Sequence, residues 1–286
     1  MGRLVRFTKM QGIGNDYVYI NGFEEDGIDD PGALARRISD RHFGVGSDGL
    51  VLVLPSQSAD VRMRMFNADG SEAEMCGNAI RCVGKYAYEH GLVAGTSVRV
   101  ETLAGEKIVN LLHENGQICA ATVDMGVPEL MPAHIPVLVQ DGGDTQSFIA
   151  RHVDVGGTVY DVTAVSMGNP HAVVFMEYID MLDLPCLGPR FECHPLFPRR
   201  INTEFVELVS PALVRMRVWE RGAGETMACG TGACAVAVAC HLTGRTGREL
   251  DVELRGGTLH IRWDAASGRV FMTGGALTVF EGMYPL

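Results

Sequence analysis

The sequence predicts an α/β (α+β) protein of two homologous halves, each a mainly antiparallel sheet wrapped around a central buried helix. Two observations lead to this prediction. When the sequence is shifted by 153 positions, VRMRMF at 61–66 falls on VRMRVW at 214–219, with four of six residues identical. In addition, the nine residues 232–240 carry no charge, as expected for a helix that is buried on all sides. We infer a duplication, with the two halves related by a pseudo-twofold axis.

The repeat extends beyond these two segments. The same shift superimposes five more identical pairs: Glu72 on Glu225, Cys76 on Cys229, Gly77 on Gly230, Val83 on Val236, and Gly91 on Gly244. The chain is rich in glycine and alanine, so single matches arise easily by chance. Matches that keep their order and their spacing favour duplication instead.

Each half is predicted to contain the same elements in the same order. Residues 61–66 alternate between apolar and arginine side chains, which indicates a half-buried strand and favours antiparallel pairing. A polar loop and a Cys-Gly pair follow, and then a helix that ends near Gly91 or Gly244, each a suitable C-cap. Strand–turn–strand patterns come next, at residues 97–103 and 107–112 and at residues 250–254 and 259–263.

Composition argues against several classes of protein. A net charge of -11 over 286 residues disfavours nucleic acid and anionic membranes as partners. No apolar run reaches the roughly 18 residues of a membrane helix, and the N-terminus lacks the apolar core of a signal peptide. We therefore expect a cytoplasmic protein whose eight cysteines form no disulfide framework.

Common metal and nucleotide motifs do not occur. The sequence has no C-x-x-C, no H-E-x-x-H and no Walker A loop, and we expect no metal site. A G-x-G-x-x-G pattern at 44–49 precedes the strand-like residues 50–54, where a dinucleotide site needs a helix. We therefore do not assign it to a cofactor.

Two of the eight cysteines, Cys76 and Cys229, stand directly before predicted helices. The free N–H groups and partial positive charge of a helix N-terminus lower a thiol pKa and can hold a carboxylate. We predict one catalytic thiol in each half. The other six are predicted to be buried small hydrophobes (Cys82, Cys119, Cys234, Cys240) or bystanders in a Pro-rich loop region (Cys186, Cys193).

Two thiols on opposite faces of an α-carbon could invert its configuration. If the halves face each other, one thiolate removes the α-proton and the opposite thiol returns a proton. Helix-end amides aimed at the carboxylate would stabilise the carbanion. Only Lys9, Lys85 and Lys107 are present, none in a repeated motif, which argues against a pyridoxal Schiff base. No cofactor is expected.

Two other classes remain open at this point. A cysteine hydrolase would use His171 as its base and would need only one thiol. A thiol redox or binding protein would have a Cys76–Cys229 disulfide as its working state, whereas we interpret such a disulfide as an inactivation product.

Several long motifs, in order along the whole chain, resemble those of diaminopimelate epimerases. They are MQGIGND at 10–16, NADGSE at 67–72, MCGN at 75–78, SMGNPH at 166–171, ERGAGET at 220–226, ACGTGAC at 228–234 and FEG at 280–282. The resemblance implies an epimerase that needs no pyridoxal phosphate. It would interconvert LL- and meso-diaminopimelate on the route to lysine and peptidoglycan.

The resemblance also implies roles for individual residues. Cys76 and Cys229 would be the acid/base pair, and Glu220 would bind the α-ammonium group and, with His171, tune the thiols. The reacting carboxylate would be held by Gly77, Asn78, Gly230 and Thr231. The rest of the substrate would be positioned by Asn15, Asn67, Asn169, Asn202 and Arg221.

The family also suggests how the chain is divided and assembled. Its last strand usually returns to the first half, so we predict half-domains at 1–126 plus 276–286 and at 127–275. A homodimer is common in the family, and the expected ligand is a small-molecule amino-acid substrate. A racemase of proline, hydroxyproline or histidine type is the alternative.

The sequence departs from the family pattern at two positions. Some members have glutamine where this chain has Gly49, so we assign no ligand role to that position. Tyr17 stands where phenylalanine is frequent, and we expect this difference to have little effect.

Overall fold

A computed structural model describes residues 3–139 and 146–286 of the chain. The chain divides into two compact units. The first comprises Met1–Asp124 with Thr273–Leu286, and the second comprises Met125–Met272. No helix among the described residues is both long enough and apolar enough to cross a membrane.

Residues 3–126, as the structure describes them, form eight strands and two α-helices. They are β1 (Leu4–Gly12), β2 (Asn15–Asn21), α1 (Pro31–Ile38), β3 (Gly49–Leu54), β4 (Val61–Asn67), β5 (Glu72–Ala73), α2 (Gly77–Glu89), β6 (Ser97–Thr102), β7 (Gly105–Glu114) and β8 (Gln117–Gly126).

The described residues after Gly126 add ten strands and two α-helices. They are β9 (Arg151–Val155), β10 (Thr158–Ser166), β11 (Pro170–Phe175), α3 (Leu184–Glu192), β12 (Asn202–Ser210), β13 (Leu213–Glu220), β14 (Gly224–Glu225), α4 (Gly230–Leu242), β15 (Glu249–Leu254), β16 (Gly257–Trp263), β17 (Val270–Gly275) and β18 (Leu277–Pro285). A 3₁₀ turn lies at Ile179–Met181.

The two units repeat the same order of strand pairings, as the duplicated sequence predicts. In the first unit β1 pairs antiparallel with β2, β2 parallel with β3, β3 antiparallel with β4, β4 parallel with β6, and β6 antiparallel with β7. In the second unit β10, β11, β12, β13, β15 and β16 follow the same sequence of orientations. The mainly antiparallel sheet and the two homologous halves are confirmed.

The sheet is mainly but not purely antiparallel. Among the described residues each unit has two parallel pairs, and each of these spans an α-helix: α1 and α2 in the first unit, α3 and α4 in the second. The reason is geometric, because a strand that follows a crossover helix can return in the same direction as its neighbour. The last strand, β18, pairs antiparallel with β1.

The helices α2 and α4 are the central helices of the two sheets. Helix α2 contacts β1, β2, β3, β4, β6 and β7, and α4 contacts β10, β11, β12, β15 and β16. Both end as predicted, because Gly91 and Gly244 follow the C-caps with φ of 68° and 71°, in the left-handed region that favours glycine. Helix α4 is almost entirely buried, as its lack of charge predicts.

The outer helices α1 and α3 cover a second apolar layer in each unit. Leu34, Ala35 and Ile38 of α1 pack on Val18 and Leu50 of the first sheet. Leu184 and Phe191 of α3 belong to the corresponding cluster of the second unit. The strands that carry the candidate residues are therefore packed against helices of their own unit.

None of the eight cysteines, all in the described part of the chain, is in a disulfide. Cys82, Cys234 and Cys240 are buried as predicted, and burial raises the pKa of Cys82 to about 11 and that of Cys240 to about 12. Two expectations are wrong. Cys119 is exposed because its side chain lies on the outer face of β8, and Cys186 lies in helix α3 rather than in a loop.

Candidate active site

Cys76 is the N-cap residue of α2, with φ of -133° and ψ of 123°. Its side chain is half-buried and makes no capping hydrogen bond to the helix. Instead its Sγ donates to Asn15 Oδ1 over 3.3 Å. The sequence places the thiol here because Gly77 and Asn78, the first residues of α2, begin the buried central helix.

A carboxylate behind Asn15 fixes how this amide is oriented. Asn15 Nδ2 donates to Asp48 Oδ2 over 2.7 Å, so its oxygen is left to face the thiol. Asp48 also accepts from the backbone N–H of Asp16 and forms an ion pair with Arg41. Cys76 is therefore hydrogen-bonded to a neutral amide, and the charged groups Asp48 and Arg41 lie behind that amide.

Lys9 belongs to this polar region and has a structural role. Its buried ammonium group pairs with Asp16 and donates to the carbonyl of Gly46. Lys85, on α2, donates to the carbonyl of Ile118 over 2.8 Å and pairs with Glu89. Each of these two lysines thus forms its ion pair and its hydrogen bond within its own unit.

Cys229 is the N-cap residue of α4 in the second unit. Its Sγ accepts from the N–H of Gly232 over 3.4 Å and lies 3.5 Å from Thr231 Oγ1. Only 5% of the residue is exposed. The two thiols thus occupy equivalent places in the duplicated fold, but Cys229 is the more deeply buried.

The expectation of a lowered thiol pKa is wrong for Cys229. Burial raises the pKa of this thiol well above its ordinary value, and the negative charges of Glu220 and Glu204 raise it further. Hydrogen bonds from Thr231 and Gly232 only partly oppose this effect. The helix N-terminus lowers the thiol pKa by less than these effects raise it, because a buried thiolate loses its hydration and faces two carboxylates. Cys229 therefore keeps its proton in the substrate-free protein.

His171 and Glu204 form a buried pair next to Cys229. His171 Nδ1 lies 2.7 Å from Glu204 Oε1, and both side chains are fully buried. On the other side of the ring, Nε2 lies 2.9 Å from Asn169 Oδ1. The Sγ of Cys229, a ring nitrogen of His171 and a carboxylate oxygen of Glu204 all lie within 4.8 Å of one another. The structure thus brings predicted residues His171 and Asn169 together with a thiol, through a glutamate that was not predicted.

Glu220, at the end of β13, faces the same thiol. Thr226 Oγ1 donates to its Oε1 over 2.5 Å. Burial raises the pKa of Glu220, while the hydrogen bond from Thr226, the charge of His171 and a hydrogen bond with Cys229 pull it down. A carboxylate held this way suits a cationic ligand group, since an ammonium ion would favour its charged form.

The remaining predicted side chains form hydrogen bonds to residues of their own units. Asn78 accepts from Arg81 Nη1 over 3.0 Å, and Asn67 donates to Ser71 Oγ over 3.0 Å. Asn202 donates to the carbonyl of Pro170 and accepts from the backbone N–H of Arg221, both over 2.9 Å. The guanidinium of Arg221 is exposed and donates to the carbonyl of Arg199.

Sequence reasoning missed Glu204. The residue lies in a mostly apolar stretch, and its importance depends on β12 being an inner strand between β11 and β13. A glutamate at a core position of a strand, two residues after Asn202, is the signal that would have revealed it. The order of the strands has to be known before that signal can be interpreted.

A sequence profile described as diaminopimelate epimerase matches residues 7–131 and 163–279. The chain belongs to the diaminopimelate epimerase family. A diaminopimelate epimerase from Desulfovibrio desulfuricans is 70% identical over 99% of both chains. One from Acetivibrio thermocellus is 54% identical over 97% of this chain and 98% of its own. The protein is therefore an isomerase.

Solved structures with low sequence identity share the fold. A phenazine biosynthesis protein from Bacillus anthracis has a TM-score of 0.68 at 18% identity, over 99% of this chain and 100% of its own. A hydroxyproline epimerase from Agrobacterium vitis, crystallised with bound trans-4-hydroxy-L-proline, has a TM-score of 0.68 at 16% identity, over 100% of this chain and 94% of its own. These likenesses show the fold alone, because a shared fold does not by itself imply a shared function.

Proposed function

We propose that this member of the family interconverts LL- and meso-diaminopimelate, with Cys76 and Cys229 as the two acid/base groups. The observation that carries the proposal is the thiol at the N-cap of the central helix in both units. The relatives that are 70% and 54% identical over nearly the full chain support the substrate. The proposal requires both thiols to reach one α-carbon from opposite faces.

The proton balance of the proposed step is simple. A thiolate takes the α-proton, the C–H bond breaks, and its electron pair spreads into the adjacent carboxylate. The opposite thiol then gives its proton to the other face, which inverts the centre and exchanges the protonation states of the sulfurs. The raised pKa of Cys229 favours its thiol form at the start of the turnover in which Cys76 removes the α-proton, and the roles exchange in the reverse turnover.

The helix starts supply the groups that stabilise the carbanion. The first N–H groups of an α-helix have no partner within the helix, and the dipole makes this end partly positive. The amides of Gly77, Asn78, Gly230 and Thr231 stand there and would bind the reacting carboxylate. A carboxylate held by such donors carries the extra negative charge of the carbanion at lower cost.

Other polar residues are proposed to fix the substrate in place. Glu220 would bind the α-ammonium group, since its carboxylate is close to Cys229 and is oriented by Thr226. Asn15, Asn67, Asn169, Asn202 and Arg221 would bind the rest of the molecule, including its distal amino-acid group. No metal or cofactor enters this scheme.

We propose a cytoplasmic homodimer that acts in lysine and peptidoglycan precursor synthesis. Strands β18 and β1 carry exposed apolar side chains, some of which a second copy would cover: Leu4, Leu277, Val279, Phe280 and Met283.

The test is stereochemical. The reduced protein is incubated with LL-diaminopimelate, and the meso isomer is followed by chiral chromatography, with L-proline and trans-4-hydroxy-L-proline in parallel. We expect inversion of diaminopimelate only. Inversion of a proline but not of diaminopimelate would favour the alternative racemase, and hydrolysis without inversion would favour a cysteine hydrolase.

A further inference from the structure

Glu204 is a fully buried carboxylate that the proposed proton transfer does not use. It lies on β12, an inner strand, and only its Oε1 is hydrogen-bonded. Its Oε2 has no hydrogen-bond partner among the described residues. Burying a carboxylate in this way is costly, so its presence calls for an explanation other than packing.

The first unit shows that the fold does not need a carboxylate at this position. In β2 and β3, Tyr19 pairs with Val51, and in β11 and β12, Val173 pairs with Glu204. The shift of 153 residues likewise places Val51 on Glu204. Val51 is fully buried, so an apolar side chain fills the same place in the duplicated scaffold.

Glu204 contacts groups that belong to the candidate site. Its Oε1 holds His171 through Nδ1, and the other ring nitrogen of His171 holds Asn169 through Oδ1. With that oxygen engaged, the amide nitrogen of Asn169 is left as the donor for a ligand. A chain from carboxylate to imidazole to amide thus fixes the orientation of a predicted substrate-binding residue.

The same carboxylate also lies against Cys229, and a glycine makes room for it. A Cβ at Gly232 would come within 2.6 Å of Glu204 Oε1 and 3.2 Å of Cys229 Sγ. The equivalent position in the first unit, at the same shift of 153, is Ala79. The second unit thus has both the acid and the space for it, and the first unit has neither.

We propose that Glu204 is a positioning residue for the Cys229 half of the reaction: it holds His171 and Asn169 in place and keeps a negative charge beside the thiol. This inference rests on the proposed function. The groups that face Cys229 are Glu204 from β12, His171 from β11 and Glu220 from β13, with Thr231 on its own helix. Removal of the Glu204 charge should therefore make Cys229 ionise at lower pH.

The test compares Glu204→Gln, which keeps the shape and an acceptor oxygen, with Glu204→Asp and with a matched control. The control is Glu207→Gln, on the same strand, whose carboxylate accepts from the N–H of Ile179 and pairs with Arg215. The first readout is the pH dependence of Cys229 modification by methyl methanethiosulfonate, followed by peptide mass spectrometry. It needs no substrate, so it stands even if the proposed function fails.

We expect the midpoint of Cys229 modification to move to lower pH in Glu204→Gln and to stay unchanged in Glu207→Gln. A second readout is kinetic: Glu204→Gln should lower kcat for diaminopimelate by roughly 10²-fold, the lower end of what a well-placed acid/base group contributes. The alkaline limb of its kcat/KM profile should also move to lower pH, and Glu204→Asp should recover part of kcat.

An unchanged modification midpoint in folded Glu204→Gln would overturn the inference. If that variant does not fold, Glu204→Val, which copies the first unit, takes its place, and a wild-type midpoint or pH profile there would have the same meaning. A wild-type protein that does not invert diaminopimelate would instead refute the proposed function, and the modification experiment would still decide the role of Glu204.

Discussion

The two thiols occupy the same place in two copies of one fold, yet their surroundings differ. Cys76 is half-buried and donates to a neutral amide, that of Asn15. Cys229 is buried beside two carboxylates, Glu204 and Glu220, and its pKa is raised. The two units share one scaffold, and the different side chains around the two helix starts give the two thiols different chemical surroundings.

Strand register shows which substitutions made the difference. Tyr17 pairs with Gly49 in the first unit where His171 pairs with Asn202 in the second. Val51 is the counterpart of Glu204, and Asn67, by the same shift of 153, is the counterpart of Glu220. Each titratable neighbour of Cys229 thus has an uncharged counterpart in the first unit. A two-base reaction on a single α-carbon needs one proton donor and one acceptor, and such an asymmetry helps to define them.

The largest expected effect comes from removing either thiol. Cys76→Ala and Cys229→Ala should each lower kcat for inversion by about 10³-fold or more, since each deletes a group that must carry a proton. The measurement is the rate of meso product by chiral chromatography. Cys119→Ala, at an exposed site on β8, is the control and should be unaffected. Near-normal turnover in either active-site variant would show that the two units are not both needed.

The second prediction concerns thiol reactivity. At pH 8, iodoacetamide should modify Cys76 at least about tenfold faster than Cys229, because Cys229 is buried and protonated, and the thiolate is the reacting form. Peptide mass spectrometry over a time course gives both rates from one sample. The buried Cys82 and Cys240 serve as internal controls and should react slowest. Equal modification rates for Cys76 and Cys229 would contradict the predicted difference between the two thiols.

A smaller effect is expected from Gly232→Ala, which copies Ala79 of the first unit. The new Cβ would press on the ends of two side chains, at 2.6 Å from Glu204 Oε1 and 3.2 Å from Cys229 Sγ, and both can shift, so folding should be retained. We expect kcat to fall roughly tenfold, less than the 10²-fold that a misplacement of about 1 Å can cost. Gly247→Ala, where a Cβ meets open space, is the control. Equal kcat in both variants would argue against a role for Glu204.

The smallest expected effect is on stability. Burial raises the folded-state pKa of Glu220 above its ordinary value, so the contribution of this group to stability is fully present below about pH 4.5 and is lost as pH rises through the folded-state pKa. Glu220→Gln should remove this fall and raise Tm by a few degrees at neutral pH. Thermal unfolding between pH 4 and 8 measures it, with Glu207→Gln as control. A lower Tm for Glu220→Gln at pH 7 would mean that its charge stabilises the fold.

Much of the fold could be predicted from the sequence, for physical reasons. The repeat, the uncharged helix α4 and the glycines after α2 and α4 are local signals, and all were confirmed. The parallel pairs were missed because strand direction depends on the crossover helices rather than on alternation. Arg81 and Lys85, on α2, carry charges that would suggest an exposed face, yet both are buried and hydrogen-bonded within the first unit.

The candidate site was predictable to a lesser degree. Both thiols follow from the repeat and from the helix starts, and most of the other residues were carried over from the family resemblance. Glu204 was missed because only the strand order places it beside His171. The pKa of Cys229 was predicted in the wrong direction because burial and two neighbouring carboxylates cannot be read from a helix N-terminus.

The central claim is that two thiols, one from each unit, act on opposite faces of one carbon. It is tested most directly by starting the wild-type reaction on LL-diaminopimelate in deuterated water and analysing the first few per cent of conversion by mass spectrometry. Two bases predict that the meso product carries one α-deuterium while the remaining substrate carries almost none. Equal deuterium in substrate and product from the start would indicate a single base and would contradict the account.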